Sequence, residues 1–97
     1  IGKDTFMSCE VEKITIEKGI TTISDYAFRG CETLTEITLP RTLKTIGTAP
    51  FIGCSNLTQL IIPRSVTTIG PGLVQYCTNL KELESQKGYR KKNLQLN

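Results

Sequence analysis

The sequence predicts a β-rich solenoid, and three observations carry that prediction. Cysteine recurs at Cys9, Cys31, Cys54 and Cys77, at spacings of 22, 23 and 23 residues, a period in the range of stacked structural repeats. Apolar slots keep step with it: Phe6, Phe28, Phe51 and Val74 stand three residues before each cysteine, and Ile1, Ile23, Ile46 and Ile69 five before those. Between cysteines, further columns read Leu34, Leu57, Leu80, then Ile14, Ile37, Leu60, Leu83, then Ile16, Leu39, Ile62, then Ile20, Leu43, Val66. The first copy is one residue short between Cys9 and Ile14, where Val11 is expected to stand in for the leucine of the later copies.

Each copy divides into short elements. In Leu34-Thr35-Glu36-Ile37-Thr38-Leu39-Pro40 the apolar residues alternate with period two and outward threonines are β-branched, which predicts a strand with Ile37 and Leu39 inside. Pro40 and Pro63 close this strand, since proline has no N–H for a ladder and holds its predecessor extended. A turn then leads into a second extended piece, Leu43 to Ile46, ending at Gly47. Next, Ser24-Asp25-Tyr26-Ala27-Phe28-Arg29-Gly30-Cys31 reads as a single helical or 3-10 turn, with Ser24 or Asp25 as its cap and Gly30 or Gly53 as the left-handed stop. Pro71, Gly72 and Tyr76 break that pattern, so a looser turn is expected in the last copy. A lone coil cannot cover its apolar side chains; stacking lets parallel strands bond and each apolar layer cover the next.

From Cys31 to Cys54, and again to Cys77, the chain carries Cys-x-x-Leu-x-x-Ile-x-Leu-Pro-x-x-Leu-x-x-Ile-Gly-x-x-x-Phe-x-x-Cys nearly intact. This pattern resembles the BspA-like class of leucine-rich repeat, over residues 1 to about 85. The resemblance implies a right-handed leucine-rich repeat solenoid with a parallel sheet on its concave side and short helical or 3-10 turns opposite. It also implies an adhesion or interaction module, because proteins of this class are mostly large surface or secreted proteins of bacteria and protozoan parasites. About four coils are expected over residues 1–85, with 86–97 a degenerate cap or basic tail. Ile1-Gly2 aligns with Ile46-Gly47 in mid-repeat, so the sequence reads as a section of something longer.

Composition narrows the function. The net charge is +3, yet residues 1–86 hold eight basic and nine acidic groups, and the excess comes from Lys87, Arg90, Lys91 and Lys92. A nucleic-acid surface needs a basic face with aromatics on the folded body, and none is legible. No apolar run approaches the ~20 residues of a membrane helix. The cysteines form no Cys-x-x-Cys pair and histidine is absent, so neither a zinc site nor the common nucleophile-base pairs can be assembled. The cysteines are expected to be buried reduced thiols that fill a small apolar slot. Glu36 and Glu82 fall in one column two coils apart, about 10 Å at the ~4.8 Å strand spacing, slightly wider than an inverting glycosidase pair and with no cleft implied. Asn56-Leu57-Thr58 is a formal glycosylation sequon, but Leu57 is a core slot and Asn56 and Asn79 share a place in the bend. No catalytic residue, cofactor or metal is predicted.

The candidate interaction surface is therefore the outward face of the strands. Lys13, Glu36, Gln59 and Glu82 should form one row, and Thr15, Thr38, Ile61 and Glu84 the next. These rows vary from copy to copy while core slots do not, which fits either individual contacts or drift on a solvated face. Ile61 reads as an exposed apolar residue at mid-sheet. A third row, Lys18, Arg41 and Arg64, follows the strands and offers a basic rim to an acidic partner, or simply a solvated edge. The reading is a non-enzymatic module that binds a protein, such as a host or cell-surface component, through its sheet; the alternatives are a structural spacer for a neighbouring domain, or a flank to a catalytic one. Self-association through the solenoid ends is the further partner expected, since an uncovered coil presents strand edges.

Overall fold

The computed structural model describes residues 1–86 and the backbone of Arg90–Lys92. Eight short strands follow one another: β1 (Lys13–Thr15), β2 (Thr22–Ile23), β3 (Glu36–Thr38), β4 (Thr45–Ile46), β5 (Gln59–Ile62), β6 (Thr68–Ile69), β7 (Glu82–Ser85) and β8 (Arg90–Lys92). They form two sheets. The larger runs β1-β3-β5-β7-β8, the smaller β2-β4-β6. All neighbours are parallel except β8, which pairs antiparallel with β7. The chain thus winds a parallel β-solenoid of about three turns, with like residues above like.

The columns read from the sequence are the packing layers. Ile14 registers with Ile37 and Leu60 with Leu83 in the larger sheet; Ile23 registers with Ile46 and Ile46 with Ile69 in the smaller. Phe6 stacks on Phe28 with ring centroids 5.2 Å apart, and Phe28 on Phe51 at 5.5 Å. Side chains of Ile23, Phe28, Leu34, Leu43, Phe51, Leu57 and Leu60 are fully enclosed, and among the described residues no charged or polar side chain is buried with them. End layers are the exception. Val11 is half exposed, at 49%, where Leu34 and Leu57 have no exposure, so it does not replace the missing leucine; its bend is a residue short, and β1 is the edge strand of its sheet. Ile69 in the edge strand β6 is similarly uncovered.

The expected helical turns are absent: among the described residues no helix forms. The reason lies in where the backbone donors go. The N–H groups of Tyr26, Phe28 and Gly30 donate to the carbonyls of Thr48, Pro50 and Ile52 in the next coil, at 3.0, 2.8 and 2.8 Å. Only the amides between them close local turns, as Arg29 does to Tyr26 and Cys31 to Phe28. A helix would direct every amide back along its own segment; here every second one points along the solenoid axis. The zigzag needs two left-handed residues per coil, at Asp4, Tyr26, Ala49 and Gly72 and again at Ser8, Gly30, Gly53 and Tyr76. Asp25 is accordingly no local cap, and its Oδ1 accepts Thr48 N–H across the coil boundary at 2.7 Å.

The last copy keeps both left-handed positions and the bonds Ala49 to Pro71 and Gly53 to Gln75, while the bond from Phe28 to Pro50 has no counterpart between Phe51 and Leu73. The turn there is looser in that one rung. Polar side chains add rungs elsewhere. Thr35 and Thr58 hydroxyls donate to Glu12 O and Thr35 O, and the Asn56 amide donates to Glu32 O at 2.7 Å while its Oδ1 accepts from Asn79. The sequon asparagine is thereby committed to the stack.

Candidate functional site

The parallel register turns the outward rows into one surface. Lys13 stands beside Glu36, Glu36 beside Gln59 and Gln59 beside Glu82; Thr15 stands beside Thr38, and Ile61 beside Glu84. These rows are not evenly knitted. β1 and β3 share three registered pairs and β5 and β7 share four, whereas β3 and β5 share Glu36 with Gln59 alone. Between β1 and β3 the ladder continues through Ile16 N–H to Thr38 O at 3.0 Å, and no equivalent bond joins Leu39 to Ile61.

Where the two strands part, a depression of about 370 Å³ opens on the sheet. Its walls include Glu36, Thr38, Arg41, Gln59 and Ile61, four outward strand residues and one member of the basic rim. Ile37 and Leu39 also line it although their side chains are buried in the core, so the depression reaches the strand backbone. Ile61 is half-buried, not exposed as its row suggests. Pro63 and Gln86 complete the wall. Both escape a search confined to strand positions, yet they occupy the same repeat slot as Pro40, which the 23-residue register identifies.

The remaining candidates lie around this centre. Lys13 and Thr15 are exposed on β1. Gln59 Nε2 donates to Glu82 Oε1 at 2.6 Å, tying two members of the first row together. In the basic rim, Lys18 lines a hollow with Arg41, and Arg64 lines another with Arg41 and Gln86. Arg64 Nη2 donates to Gln86 O at 3.3 Å. Glu36 and Arg41 form no hydrogen bond or ion pair among the described residues.

The cysteines are buried free thiols, apart from the half-buried Cys9. Each of the three buried thiols donates to the phenylalanine carbonyl of the preceding coil, Cys31 to Phe6 O at 3.0 Å and Cys77 to Phe51 O at 3.2 Å. Burial pushes the Cys31 thiol up to about 12 and Cys77 up to about 11, so both stay neutral and unreactive near pH 7. Among the described residues no group of histidine, cysteine and acidic side chains could hold a metal, and no helix is long and apolar enough to cross a membrane.

The family model described as the BspA type leucine rich repeat region (6 copies) matches residues 1–94. The chain belongs to the BspA-type leucine-rich repeat family. Leucine-rich repeats of this type are in general protein-interaction modules and typically non-enzymatic. Among solved structures, a leucine rich cell surface protein from Faecalibacterium prausnitzii superposes with a TM-score of 0.82 at 28% identity, covering 95% of this chain and 28% of that one. A leucine rich repeat protein of T. pallidum superposes with a TM-score of 0.69 at 21% identity, covering 89% of this chain and 63% of that one, and shares the fold. The BspA-type section described here therefore spans less than two thirds of either solved chain. No curated protein matches it.

Proposed function

We propose that this BspA-type solenoid is a non-catalytic adhesion module of a surface or secreted protein, and that it binds a protein partner through the larger sheet. The observation that carries this reading is the depression between β3 and β5, where a half-buried apolar residue, Ile61, is ringed by Glu36, Thr38, Gln59 and Arg41. Recognition surfaces commonly combine an apolar centre with a polar rim. Strand propensity alone accounts for an isoleucine on β5; its place beside an opened ladder, with charged residues of both signs around it, is what favours recognition. The leucine rich cell surface protein of Faecalibacterium prausnitzii, similar over most of this chain, supports the surface location.

The test is binding of the fluorescently labelled chain to cultured epithelial cells and to immobilised extracellular matrix proteins, with Ile61→Arg as the disabling variant. Wild-type binding that falls at least tenfold in Ile61→Arg, with an unchanged melting temperature, is expected. Equal binding by both chains would overturn sheet recognition and leave the solenoid as a spacer.

A further inference from the structure

We infer that the depression between β3 and β5 accepts an extended polypeptide segment bearing one cationic and one anionic side chain about four residues apart, the cation toward Glu36 and the anion toward Arg41. This rests on the reading that the sheet face binds protein, and it specifies the chemistry of the bound segment.

The charge layout is the first ground. Because all the coils repeat in register, Glu36 and Glu82 lie in the row nearest the strand starts, while Lys18, Arg41 and Arg64 lie in the row past the strand ends. Lys13 at the β1 edge and Glu84 on β7 interrupt this order, but across the depression itself it holds: Glu36 stands at its start and Arg41 at its end, with Thr38 and Ile61 between. Arg41 stands five positions after Glu36, at most ~16 Å at ~3.3 Å per residue and less after the turn at Pro40. An extended segment placing opposite charges about four residues apart matches that span.

The second ground is that these two charges are uncommitted. Gln59 is tied to Glu82 and Arg64 to Gln86, whereas Glu36 and Arg41 have no such partner among the described residues. Among the described residues they are the two charged side chains that line the depression. A carboxylate and a guanidinium at opposite ends of one groove, with no ion pair of their own, select a ligand that carries both signs and disfavour one with two like charges.

The third ground is the floor. Leu39 N–H and Ile61 C=O lack the bond to each other that the preceding strand pair makes, and the depression reaches that backbone. With a volume of about 370 Å³, at the small end of the ~300–1,000 Å³ of ligand clefts, it has room for one apolar side chain over Ile61 and a short stretch of main chain.

The experiment uses three labelled, end-blocked pentapeptides with a Thr-Val-Thr centre: lysine first and glutamate last, lysine at both ends, or glutamate at both ends. Fluorescence anisotropy at low ionic strength is expected to rank the mixed peptide about threefold to tenfold above the other two, with the margin shrinking in 0.5 M salt. Arg41→Glu should move the preference to the dilysine peptide and Glu36→Arg to the diglutamate peptide. Both substitutions are at exposed positions and should leave folding intact. If the mixed peptide binds no better than the others, or if the reversals leave the ranking unchanged, the charge assignment is overturned. Should Ile61→Arg still abolish partner binding in that case, sheet recognition stands without it; unchanged binding by Ile61→Arg overturns the recognition reading itself.

Discussion

The Cys54 thiol donates to the Phe28 carbonyl oxygen across the boundary between two coils, 3.2 Å away. That oxygen also accepts Cys31 N–H at 3.3 Å, within its own coil. One carbonyl thus receives a turn bond and a cross-coil bond, which explains why the slot holds cysteine: a small apolar side chain that still carries a donor.

This arrangement predicts a specific alkaline sensitivity. Burial raises the thiols from the ordinary 9.0 to about 12 for Cys31 and about 11 for Cys77. The folded chain keeps protons that the unfolded chain releases above pH 9, so the stabilisation is complete below pH 9 and is lost as pH climbs through 11 to 12. Cys77→Ala should cost about 1–2 kcal/mol at pH 7.5, and the gap to wild type should narrow by at most about 1.4 kcal/mol per pH unit above 9. Urea denaturation of both chains at pH 7.5, 9.5 and 10.5 measures it; a constant gap would count against buried neutral thiols.

The aromatic column gives a second prediction. Phe28 lies between Phe6 and Phe51 and is fully enclosed, whereas Phe6 is 40% exposed. Phe28→Ala should destabilise by about 3–5 kcal/mol through lost contacts and the cavity left behind. Phe6→Ala should cost clearly less, about 1–2 kcal/mol, because much of its surface already faces solvent. Chemical denaturation orders the two, and equal losses would contradict the layered packing.

Gly70 supplies a third. A Cβ at this position would sit 2.8 Å from both the carbon and the oxygen of the Gly47 carbonyl, backbone atoms that cannot rotate away. Gly70→Ala should therefore force the coils apart and cost about 1–3 kcal/mol. The thermal midpoint should fall, whereas a midpoint equal to wild type would mean that the coils are less closely set.

The role of Asp25 is open to a direct check. Since its carboxylate accepts Thr48 N–H and not an amide of its own turn, Asp25→Ala should cost about 1–2 kcal/mol and speed hydrogen exchange at Thr48. Asp25→Asn retains an acceptor oxygen and should lose less. Faster exchange confined to residues 27 and 28 would restore a local cap.

Side-chain columns were readable before any coordinates because in a register-true stack the environment of Phe28 is that of Phe51, so the same residue type suits both. The conformation of the turn was not readable. Ser24-Asp25 followed by an apolar run suits a helix start as well as it suits an inter-coil acceptor, and the choice depends on carbonyls of Thr48, Pro50 and Ile52 some two dozen residues away. Val11 shows the same limit at an end, where a slot keeps its residue class but loses its neighbour. At the candidate site, the rows through Glu36, Gln59 and Ile61 follow from the repeat alone. The parting of β3 and β5 that brings Arg41, Pro63 and Gln86 to the same depression is a backbone feature with no signature in residue type.

Cys9 to Ile14 spans one residue fewer than Cys31 to Ile37, yet Phe6 still stacks on Phe28 and Lys13 still registers with Glu36. The bend after Cys9, in the end coil, is thus a seam where length changes without disturbing the ladders that flank it. Epitope tags, protease sites or reporter peptides could be spliced into the spiral there, away from the buried leucines and asparagine rungs of the interior bends.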